Sequence, residues 1–455
     1  MSFIAIDPAT GRRIREYPEM SSGDLARAVT GCQNAFLAWR ETGMEERSRL
    51  VRNLAVILRE RRNDFAELMT REMGKPVREA RAEIDKCAAV CEFYAEHAPG
   101  YLTPQPVATA ARQSFIAFQP IGIVFAIMPW NYPFWQVFRF AAPTLMAGNG
   151  ALLKHAPNVP GCGLAIEGIF REAGFPDDLF RTLLIDHERA AELIADPRVR
   201  AVTLTGSTVA GKTVAATAAA HAKKSVLELG GNDPCIVLED ADLELVTREC
   251  VTSRLLNTGQ SCIAAKRCIV VKPVLAELRE RIVEAMGAAT FGDPFEKTSR
   301  IGPLARKDLR DRLHAQVRGS VERGASLLLG GEVPDRPGWF YPPTVLADVT
   351  PGMPAYDEEL FGPVLSIVRV ADEQEAITVA NDTRYGLGAS IFTRNLERGR
   401  QIAAREIEAG SCFVNAFVRS DPQLPFGGVK ESGYGRELSF FGIHEFVNVK
   451  SVWIG

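Results

Sequence analysis

The sequence has few histidines, and its cysteines form no recognisable disulfide or metal pattern. Its 455 residues include six His and nine Cys, an odd number at irregular spacing. No Cys-x-x-Cys pair or zinc-finger spacing occurs, which argues against a disulfide framework. Cys87 and Cys91, four residues apart on a predicted helix, either pack as small apolar side chains or hold a metal, and we favour packing. We therefore expect a reducing cytoplasm, no metal, and chemistry at one or two cysteines at most.

Long apolar runs and an excess of one charge are also missing. No apolar stretch approaches the roughly 18–20 residues that a membrane-spanning helix needs, and the first residues lack a signal-peptide pattern. The 53 basic and 56 acidic side chains give a formal net charge of −3. We therefore expect neither nucleic acid nor a membrane as the partner.

The length of 455 residues predicts about two or three domains.

Hydrophobic periodicity predicts a helical start followed by alternating strands and helices. Helices are predicted over 24–39, 45–73, 77–97, 134–146, 161–173, 189–195, 209–222, 242–256, 274–289 and 304–323. Strands are predicted over 114–118, 121–127, 151–154, 182–185, 201–205, 235–238, 268–271 and 326–329. This alternation favours an α/β fold with parallel sheets. The stretch 445–455 alternates like an edge strand, and we expect another subunit to supply its partner.

The glycine fingerprint of ordinary dinucleotide sites is absent. Gly148-Asn149-Gly150 begins such a match, but Leu153 stands where the third glycine belongs. A better candidate follows the strand 201–205. There Gly206 lets a ligand approach the backbone, and Ser207 either caps the next helix or binds a phosphate oxygen. The helix N-terminus predicts a pyrophosphate site, although an ordinary capped helix has the same pattern.

Five short segments, taken in order, resemble the aldehyde dehydrogenase superfamily. They are MPWNYP at 128–133, LELGGNDP at 227–234, NTGQSC at 257–262, EELFGP at 358–363 and PFGGVKESG at 425–433. The resemblance extends over essentially the whole chain and is strongest to the shorter bacterial NAD(P)-dependent succinate-semialdehyde dehydrogenases. It implies a Rossmann-like cofactor domain, an α/β catalytic domain and a small β oligomerisation arm. The implied bounds are 1–227 for the cofactor domain (arm strands near 110–118), 228–410 for the catalytic domain, and 411–455 for the return to the cofactor domain and the C-terminal oligomerisation strand.

The resemblance implies an aldehyde oxidation through a covalent intermediate on Cys262. A bare carbonyl is a poor hydride donor, so a thiolate first adds to form a thiohemiacetal, and the site should lower or otherwise manage the thiol pKa. The side chain of Asn131 and the backbone N–H of Cys262 would stabilise the oxyanion. Hydride transfer leaves a thioester, and Glu228, between two leucines, would activate the water that cleaves it.

The cofactor residues also follow from the resemblance. Lys154 should reach the adenosine ribose, and Gly206 with Ser207 the pyrophosphate. The nicotinamide end would meet three further residues: Glu359 at the ribose, Phe361 at the ring, and Trp130 beside them. NAD-restricted relatives often carry a glutamate three residues after the lysine, where this sequence has Pro157. We therefore predict the use of both NADP and NAD.

The sequence leaves two alternatives for the end of the site that holds the substrate. In relatives that oxidise succinate semialdehyde, an arginine and a serine that bind the substrate carboxylate match Arg139 and Ser420. A second arginine is replaced by Leu256, for which Arg419 is a possible substitute. Aromatic residues near Asn131 could instead line a channel for apolar or aromatic aldehydes: Tyr132, Phe134, Trp135 and Phe138.

Three other functions stay open at this point. A CoA-acylating relative would pass the thioester to a thiol, which Glu228 argues against. A non-catalytic structural or binding protein on the same fold should have lost a catalytic residue. A thiol hydrolase would need a histidine beside the thiol, and no motif places one there. A homodimer or homotetramer with a small-molecule aldehyde substrate is the expected organisation.

Overall fold

Helices and strands alternate over most of the chain. The computed structural model describes residues 2–455, and its helices and strands are numbered in chain order. The helices are α1 (Ser22–Trp39), α2 (Met44–Glu60), α3 (Arg62–Met73), α4 (Val77–Tyr101), α5 (Trp135–Met146), α6 (Pro160–Glu172), α7 (His187–Ala195), α8 (Thr208–Ala220), α9 (Leu243–Leu255), α10 (Lys272–Gly287), α11 (Lys307–Glu322), α12 (Pro354–Asp357), α13 (Glu373–Asn381), α14 (Leu396–Gln401) and α15 (Ser439–His444).

The strands form three sheets and one hairpin. They are β1 (Ser2–Ile6), β2 (Arg13–Pro18), β3 (Gln105–Pro106), β4 (Gln113–Pro120), β5 (Ile123–Met128), β6 (Gly150–His155), β7 (Phe180–Thr182), β8 (Val199–Thr205), β9 (Lys224–Glu228), β10 (Pro234–Val237), β11 (Arg267–Val271), β12 (Ser326–Leu329), β13 (Thr344–Ala347), β14 (Val364–Val370), β15 (Gly388–Phe392), β16 (Ser411–Val414), β17 (Gly433–Tyr434) and β18 (Val447–Ile454). Mixed α/β architecture with parallel sheets is the fold class that the sequence predicts.

A six-stranded sheet brings together the motifs of the first half of the chain. Its order is β17-β9-β8-β5-β6-β7, parallel except between β17 and β9. Central strand β5 is apolar throughout because both of its faces are covered: Val124 and Ala126 face one core, and Ile123 and Phe125 face another. The chain continues from β5 to β6 on one side and later to β8 on the other. The carboxyl ends of β5 and β8 therefore form a topological switch point, where ligands bind in open α/β sheets.

A seven-stranded sheet carries the second series of strands. Its order is β12-β13-β14-β11-β10-β15-β16, and only β12 runs antiparallel to its neighbour. The first sheet uses residues 123–228 with 433–434, and the second uses 234–414. The loop that contains Cys262 lies between α9 and β11, so the second sheet carries the nucleophile, whereas the segment with Asn131 follows β5 of the first sheet.

The C-terminal strand belongs to a third, antiparallel sheet of order β18-β4-β3. β18 pairs with β4 along its whole length, from Val447 opposite Pro120 to Ile454 opposite Gln113. The partner strand thus comes from the same chain, and the expectation that another subunit supplies it is wrong. The other edge of β18 has no partner strand within residues 2–455.

Some predicted boundaries differ from the structure. The helix expected over 45–73 is two helices, because the backbone at Arg61 (φ −102°, ψ 21°) leaves the helical conformation. The strand expected over 182–185 is β7 at Phe180–Thr182; after it, the N–H of Leu183 still donates to the Leu153 carbonyl oxygen (2.7 Å), and Leu183 and Ile185 are buried in the core. The helix expected over 304–323 begins at Lys307. The sequence analysis did not identify the hairpin β1–β2 or the strands β13–β16.

The two neighbouring cysteines of α4 lie in the protein core. Cys87 and Cys91 are fully buried in the core that α2–α6 form against the first sheet. Their positions fit the packing interpretation.

No helix in the chain from residue 2 onward combines the length and apolar character needed to cross a bilayer.

Candidate active site

The predicted nucleophile lines a cavity of about 190 Å³ between the two main sheets. Three of the predicted substrate-side residues line the same cavity: Trp135, Arg139 and Ser420. Leu256 and Arg419 contribute to its wall as well. Asn131 and Glu228 are buried and are not among the residues that line it. The cavity wall is built from four distant segments, at 75–86, 132–139, 253–264 and 417–426.

The loop before Cys262 has an unusual backbone. Asn257 (φ 54°), Thr258 (φ 56°) and Gly259 (φ 72°) are consecutive residues in the left-handed region, which costs free energy for the two non-glycine residues. At Gly259 a Cβ atom would overlap the backbone of Gly362, so only glycine fits there. The surrounding protein must hold this conformation in place.

Buried hydrogen bonds hold this loop. The backbone N–H of Asn257 donates to Glu79 Oε2 (2.6 Å), and Thr258 Oγ1 accepts from the N–H of Gly302 (3.0 Å). Gln260 Oε1 accepts from the N–H of Ala305 (2.9 Å). These partners come from α4 and from the segment before α11. The loop is therefore fixed by tertiary contacts rather than by local sequence.

Asn131 is held in a defined orientation beside the loop. Its Nδ2 donates to the carbonyl oxygen of Gln260 (3.1 Å), and its Oδ1 accepts from Gln136 Nε2 (3.1 Å). Asn257 Nδ2 donates to the Asn131 carbonyl oxygen (2.7 Å). One Nδ2 hydrogen of Asn131 stays available, and the backbone N–H of Cys262 has no acceptor within residues 2–455. These are the two donors that an oxyanion hole requires.

The thiol of Cys262 is protonated in the free protein. Burial raises its pKa to about 12, although the charges of Lys266 and Arg139 act in the opposite direction. Of the two expectations, lowering of this pKa does not hold for the free protein, and management of the thiol proton during the reaction stays a prediction. Lys266 Nζ donates to the carbonyl oxygens of Cys262 (2.6 Å) and Ser261 (3.0 Å) and thereby fixes the loop.

Glu228 is the last residue of β9 and is 2% exposed. Neither oxygen of its carboxyl group has a hydrogen-bond partner within residues 2–455. Burial raises its pKa well above the ordinary value, and the nearby Glu437 carboxyl acts in the same direction, whereas Arg139 opposes it. Such a carboxyl group can accept a proton near neutral pH.

Arg139 is buried in the same region and is already paired. Its Nε forms an ion pair with Glu437, its Nη2 donates to Thr205 Oγ1 (3.3 Å), and its guanidinium lies 4.8 Å from the ring centroid of Phe426. It is 3% exposed, so a position on the helix surface is excluded. The contacts link Arg139 more closely to the Glu228 region than to an external ligand.

A buried ion pair anchors helix α5, which carries Arg139. Glu83 Oε1 accepts from the backbone N–H groups of Phe134 (2.9 Å) and Trp135 (3.0 Å) at the start of the helix. Its second oxygen pairs with Lys75, whose ammonium lies 3.8 Å from the ring centroid of Tyr132. The sequence analysis did not identify this pair. In the sequence, Glu83 stands alone as an acidic residue among the apolar positions of α4, and this pattern could have indicated a buried ion pair.

The predicted pyrophosphate site has free donors. Ser207 caps α8, since its Oγ accepts from the N–H of Ala210 (3.3 Å). The N–H groups of Thr208 and Val209 have no acceptor in the chain from residue 2 onward. The preceding Gly206 N–H donates to the carbonyl oxygen of Glu228 (2.9 Å), which connects this turn to the end of β9. Free N–H groups at a helix N-terminus suit a phosphate.

Lys154 lies near this turn, at the end of strand β6. It is half-buried, burial lowers its pKa, and no acceptor among the described residues lies within hydrogen-bond distance of its Nζ. Its neighbour His155 is buried and bonds the Pro133 carbonyl oxygen through Nε2 (2.9 Å). An unpaired, partly buried ammonium fits the ribose hydroxyls of a dinucleotide.

The other predicted cofactor residues face the nucleophile loop. Glu359 accepts from the N–H of Gly231 (3.1 Å) and lies 3.3 Å from Lys266 Nζ. Phe361 and Trp130 form an edge-to-face pair with ring centroids 5.7 Å apart. Together with the free donors at α8, these groups fit a dinucleotide that extends from Lys154 toward the loop of Cys262.

Sequence reasoning missed several residues at the site. Gln136 orients Asn131, Lys266 ties the loop of Cys262 to Glu359, and Glu437 pairs with Arg139. Lys86 lines the cavity and contacts Ser420. Lys86 and Glu83 stand three residues apart near the buried side of α4. Two charged residues at this spacing could have indicated a polar site there.

One group of metal-ligating side chains occurs within residues 2–455, at a distance from this cavity. The sulfur atoms of Cys235, Cys250 and Cys268 all lie within 4.8 Å of one another. The three residues are buried in the core of the second sheet, among aliphatic side chains. None of them lines the cavity with Cys262.

Comparisons with known proteins agree with this geometry. Residues 2–452 match the aldehyde dehydrogenase family. The chain is 50% identical to a probable NADP-dependent succinate-semialdehyde dehydrogenase of Synechocystis, covering 100% of both chains. It is 48% identical to the NAD(P)-dependent succinate semialdehyde dehydrogenase Sad of Escherichia coli, covering 99% of this chain and 97% of the relative.

A solved structure has the same architecture. The succinic semialdehyde dehydrogenase of Streptococcus pyogenes, in complex with NADP+, superposes with a TM-score of 0.97 at 38% identity and covers 99% of both chains. A family match over nearly the whole chain and full-length relatives well above 30% identity show the family. The protein belongs to the aldehyde dehydrogenase family and is an NAD(P)-dependent oxidoreductase.

Proposed function

We propose that this protein oxidises succinate semialdehyde to succinate with NADP or NAD. The observation that carries the proposal is the cavity itself. It joins the Cys262 thiol to basic side chains at Lys86 and Arg419 that have no carboxylate partner within residues 2–455. A small aldehyde with an anionic end suits both ends of this cavity. The relatives named above are called dehydrogenases of that aldehyde.

The first half of the reaction uses the nucleophile loop. The aldehyde oxygen accepts hydrogen bonds from Asn131 Nδ2 and the Cys262 N–H, while the sulfur adds to the carbonyl carbon and its proton passes to water. When bound, a dinucleotide would supply the acceptor for the hydride that leaves the thiohemiacetal carbon. Because the thiol is neutral in the free protein, its deprotonation accompanies substrate binding or the addition step.

The second half of the reaction needs a base. A thioester on Cys262 is cleaved by water, and Glu228 takes the proton of that water. The charges of Arg139 and Glu437 act on the pKa of Glu228 in opposite directions, so this pair tunes the base. Glu228 also supports water rather than CoA as the acceptor. The retention of Cys262, Asn131 and Glu228 supports catalysis over a purely structural role.

A thiol hydrolase is a weaker candidate. The part of the cavity wall formed by residues 2–455 contains no histidine, and His155 is bound to a backbone carbonyl.

Phe134 and Phe138 are fully buried in the core and do not line the cavity. Of the aromatic residues in this segment, only Tyr132 and Trp135 line it. This segment therefore gives the cavity wall fewer aromatic residues than the sequence indicates.

An aldehyde panel tests the substrate. We expect kcat/KM for succinate semialdehyde to exceed that for butanal, which has the same chain length without the carboxylate, by about 10–100-fold, the effect of one or two charged hydrogen bonds. Benzaldehyde should also be poorer. Equal or higher kcat/KM for butanal or benzaldehyde would reject the assignment. Omitting and adding CoA in the same assay distinguishes hydrolysis from acyl transfer.

A second measurement concerns the cofactor. Lys154 is followed by His155-Ala156-Pro157, and exposed Pro157 offers no carboxylate to repel a 2′-phosphate. We expect both NADP and NAD to support turnover, with kcat/KM equal for the two or higher for NADP. Pro157→Glu should lower kcat/KM for NADP while that for NAD changes little. Strict use of NAD by the unaltered protein would contradict this prediction.

We also propose a homodimer or homotetramer in the cytoplasm, assembled through the sheet of β3, β4 and β18. Val449 and Trp453 are exposed to 58% and 62% on the edge strand of that sheet, which favours coverage by a second copy of the chain. The proposed domain bounds are 1–227, 228–410 and 411–455. The two main sheets divide the chain close to these bounds, except that Glu228 ends β9 of the first sheet and β16 (Ser411–Val414) belongs to the second.

A further inference from the structure

Lys86 places an unpaired ammonium group in the cavity of the nucleophile. It lies on α4, is half-buried, and lines the cavity together with Cys262. Its Nζ donates to Ser420 Oγ (2.6 Å) and lies 4.1 Å from the ring centroid of Trp135. No carboxylate within residues 2–455 lies within 4.0 Å of this nitrogen. The group is therefore held by a hydroxyl and an aromatic face alone.

The other charged groups around the cavity are neutralised by partners. Lys75 pairs with Glu83, and Arg139 pairs with Glu437. The remaining acid of the wall, Glu79, pairs with an arginine outside it, Arg300 (3.0 Å). Two cations are then left without an acidic partner among the described residues, namely Lys86 and the exposed Arg419.

Lys86 is better placed than Arg419 to hold an anion. A cation in partly desolvated surroundings gains much more from an anionic ligand than one that faces water, because the dielectric response around it is weaker. Ser420 is 9% exposed and accepts the hydrogen bond from Lys86, so its own hydroxyl proton stays free to donate. The ammonium and the hydroxyl together can donate to the two oxygens of one carboxylate.

We propose that Lys86, together with Ser420, binds the distal carboxylate of the substrate and is the specificity-determining cation of this enzyme. Leu256 contributes only an apolar surface to the same cavity, and Arg139 is occupied by Glu437. This inference rests on the proposed function, since it assigns the part of the site that recognises an aldehyde with a carboxylate.

The assignment has a consequence for pH. Burial and the charge of Arg139 lower the pKa of Lys86 to about 8, while Cys87, Glu83 and Asp421 oppose this shift. The charged form binds the carboxylate, so selectivity is full below pH 8 and declines as the pH rises through that value. The ionisations of Cys262 and Glu228 affect every aldehyde alike. They therefore cancel in the ratio of kcat/KM for succinate semialdehyde to kcat/KM for butanal.

The experiment measures that ratio for the full-length holoenzyme and three variants. Lys86→Met keeps the length and apolar stem of the side chain, and we expect it to lower kcat/KM for succinate semialdehyde about 10–100-fold, mainly through KM, with little change for butanal. Lys86→Arg should keep most of the selectivity and remove its decline above pH 8. Arg419→Gln removes the other unpaired cation of the wall, and we expect the ratio to stay nearly unchanged because Arg419 faces solvent.

The outcomes are distinguishable. Equal losses for both aldehydes in Lys86→Met, or an unchanged ratio, would overturn the role of Lys86. A collapse of the ratio in Arg419→Gln alone would assign the carboxylate to Arg419 instead and would likewise overturn it. If the unaltered protein does not prefer succinate semialdehyde, the proposed function itself fails. Oxidation of butanal and cofactor binding by each variant show that it is folded.

Discussion

Cys262→Ala is expected to abolish aldehyde oxidation, with kcat/KM reduced by about 10⁴-fold or more, as is typical when a covalent nucleophile is removed. No other residue of the cavity wall can replace it, since Cys262 is the only cysteine among the lining residues of the chain from 2 to 455. The measurement is steady-state formation of reduced cofactor with succinate semialdehyde, combined with titration of cofactor binding.

Cofactor binding should survive this substitution. The predicted dinucleotide contacts lie on β6, the turn before α8 and the segment at Glu359 rather than at the sulfur. Cys412→Ala is the control, because Cys412 is the other cysteine that is not fully buried and it lies outside the cavity. Activity within tenfold of normal in Cys262→Ala would refute covalent catalysis at this residue.

Glu228→Gln is expected to form one equivalent of reduced cofactor per active site and then to stall. Addition and hydride transfer do not require the base, whereas hydrolysis of the thioester does. Loss of a general base typically lowers the rate by about 10²–10⁴-fold. Rapid mixing should show the burst, and the mass of the intact protein should increase by one acyl group on the peptide containing Cys262.

The pH dependence of the same step gives an independent check. Burial raises the pKa of Glu228 well above its ordinary value, and the basic form exists only above that pKa. Steady turnover that is limited by hydrolysis should therefore rise with pH in the unaltered protein, and the Gln variant should lose this rise. Unchanged steady turnover in Glu228→Gln would contradict the role of the base.

The catalytic motifs could be found from sequence because each is short and continuous. Asn131, Glu228 and Cys262 stand in segments whose residue types reflect local requirements, such as a glycine beside a strained turn. The sequence did not predict how the loop is held. Its hydrogen bonds to Glu79 and Ala305 join residues 178 and 45 positions apart.

The pKa of the thiol is a second property that the sequence could not predict. Flanking residues indicate a nucleophile, but the extent of its burial and the distances to Lys266, Glu359 and Asp233 set its ionisation. The free protein raises this pKa, so of the two expectations from the chemistry, a lowered pKa or another way of managing the proton, only the second stays a prediction.

A helix boundary is a third example. The periodicity over 45–73 fits one helix, and only the packing of α2 and α3 shows the change of direction at Arg61.

By itself, the sequence determined the family, the α/β class, and the identity of the nucleophile, base and oxyanion donor, since local patterns specify these. Only the tertiary structure decided which charges are free at the cavity. Lys86 and Ser420 are 334 residues apart, and Arg139 meets Glu437 from a distant segment. A charge is neutralised or left available by its neighbours in space, and chain folding alone brings those neighbours together.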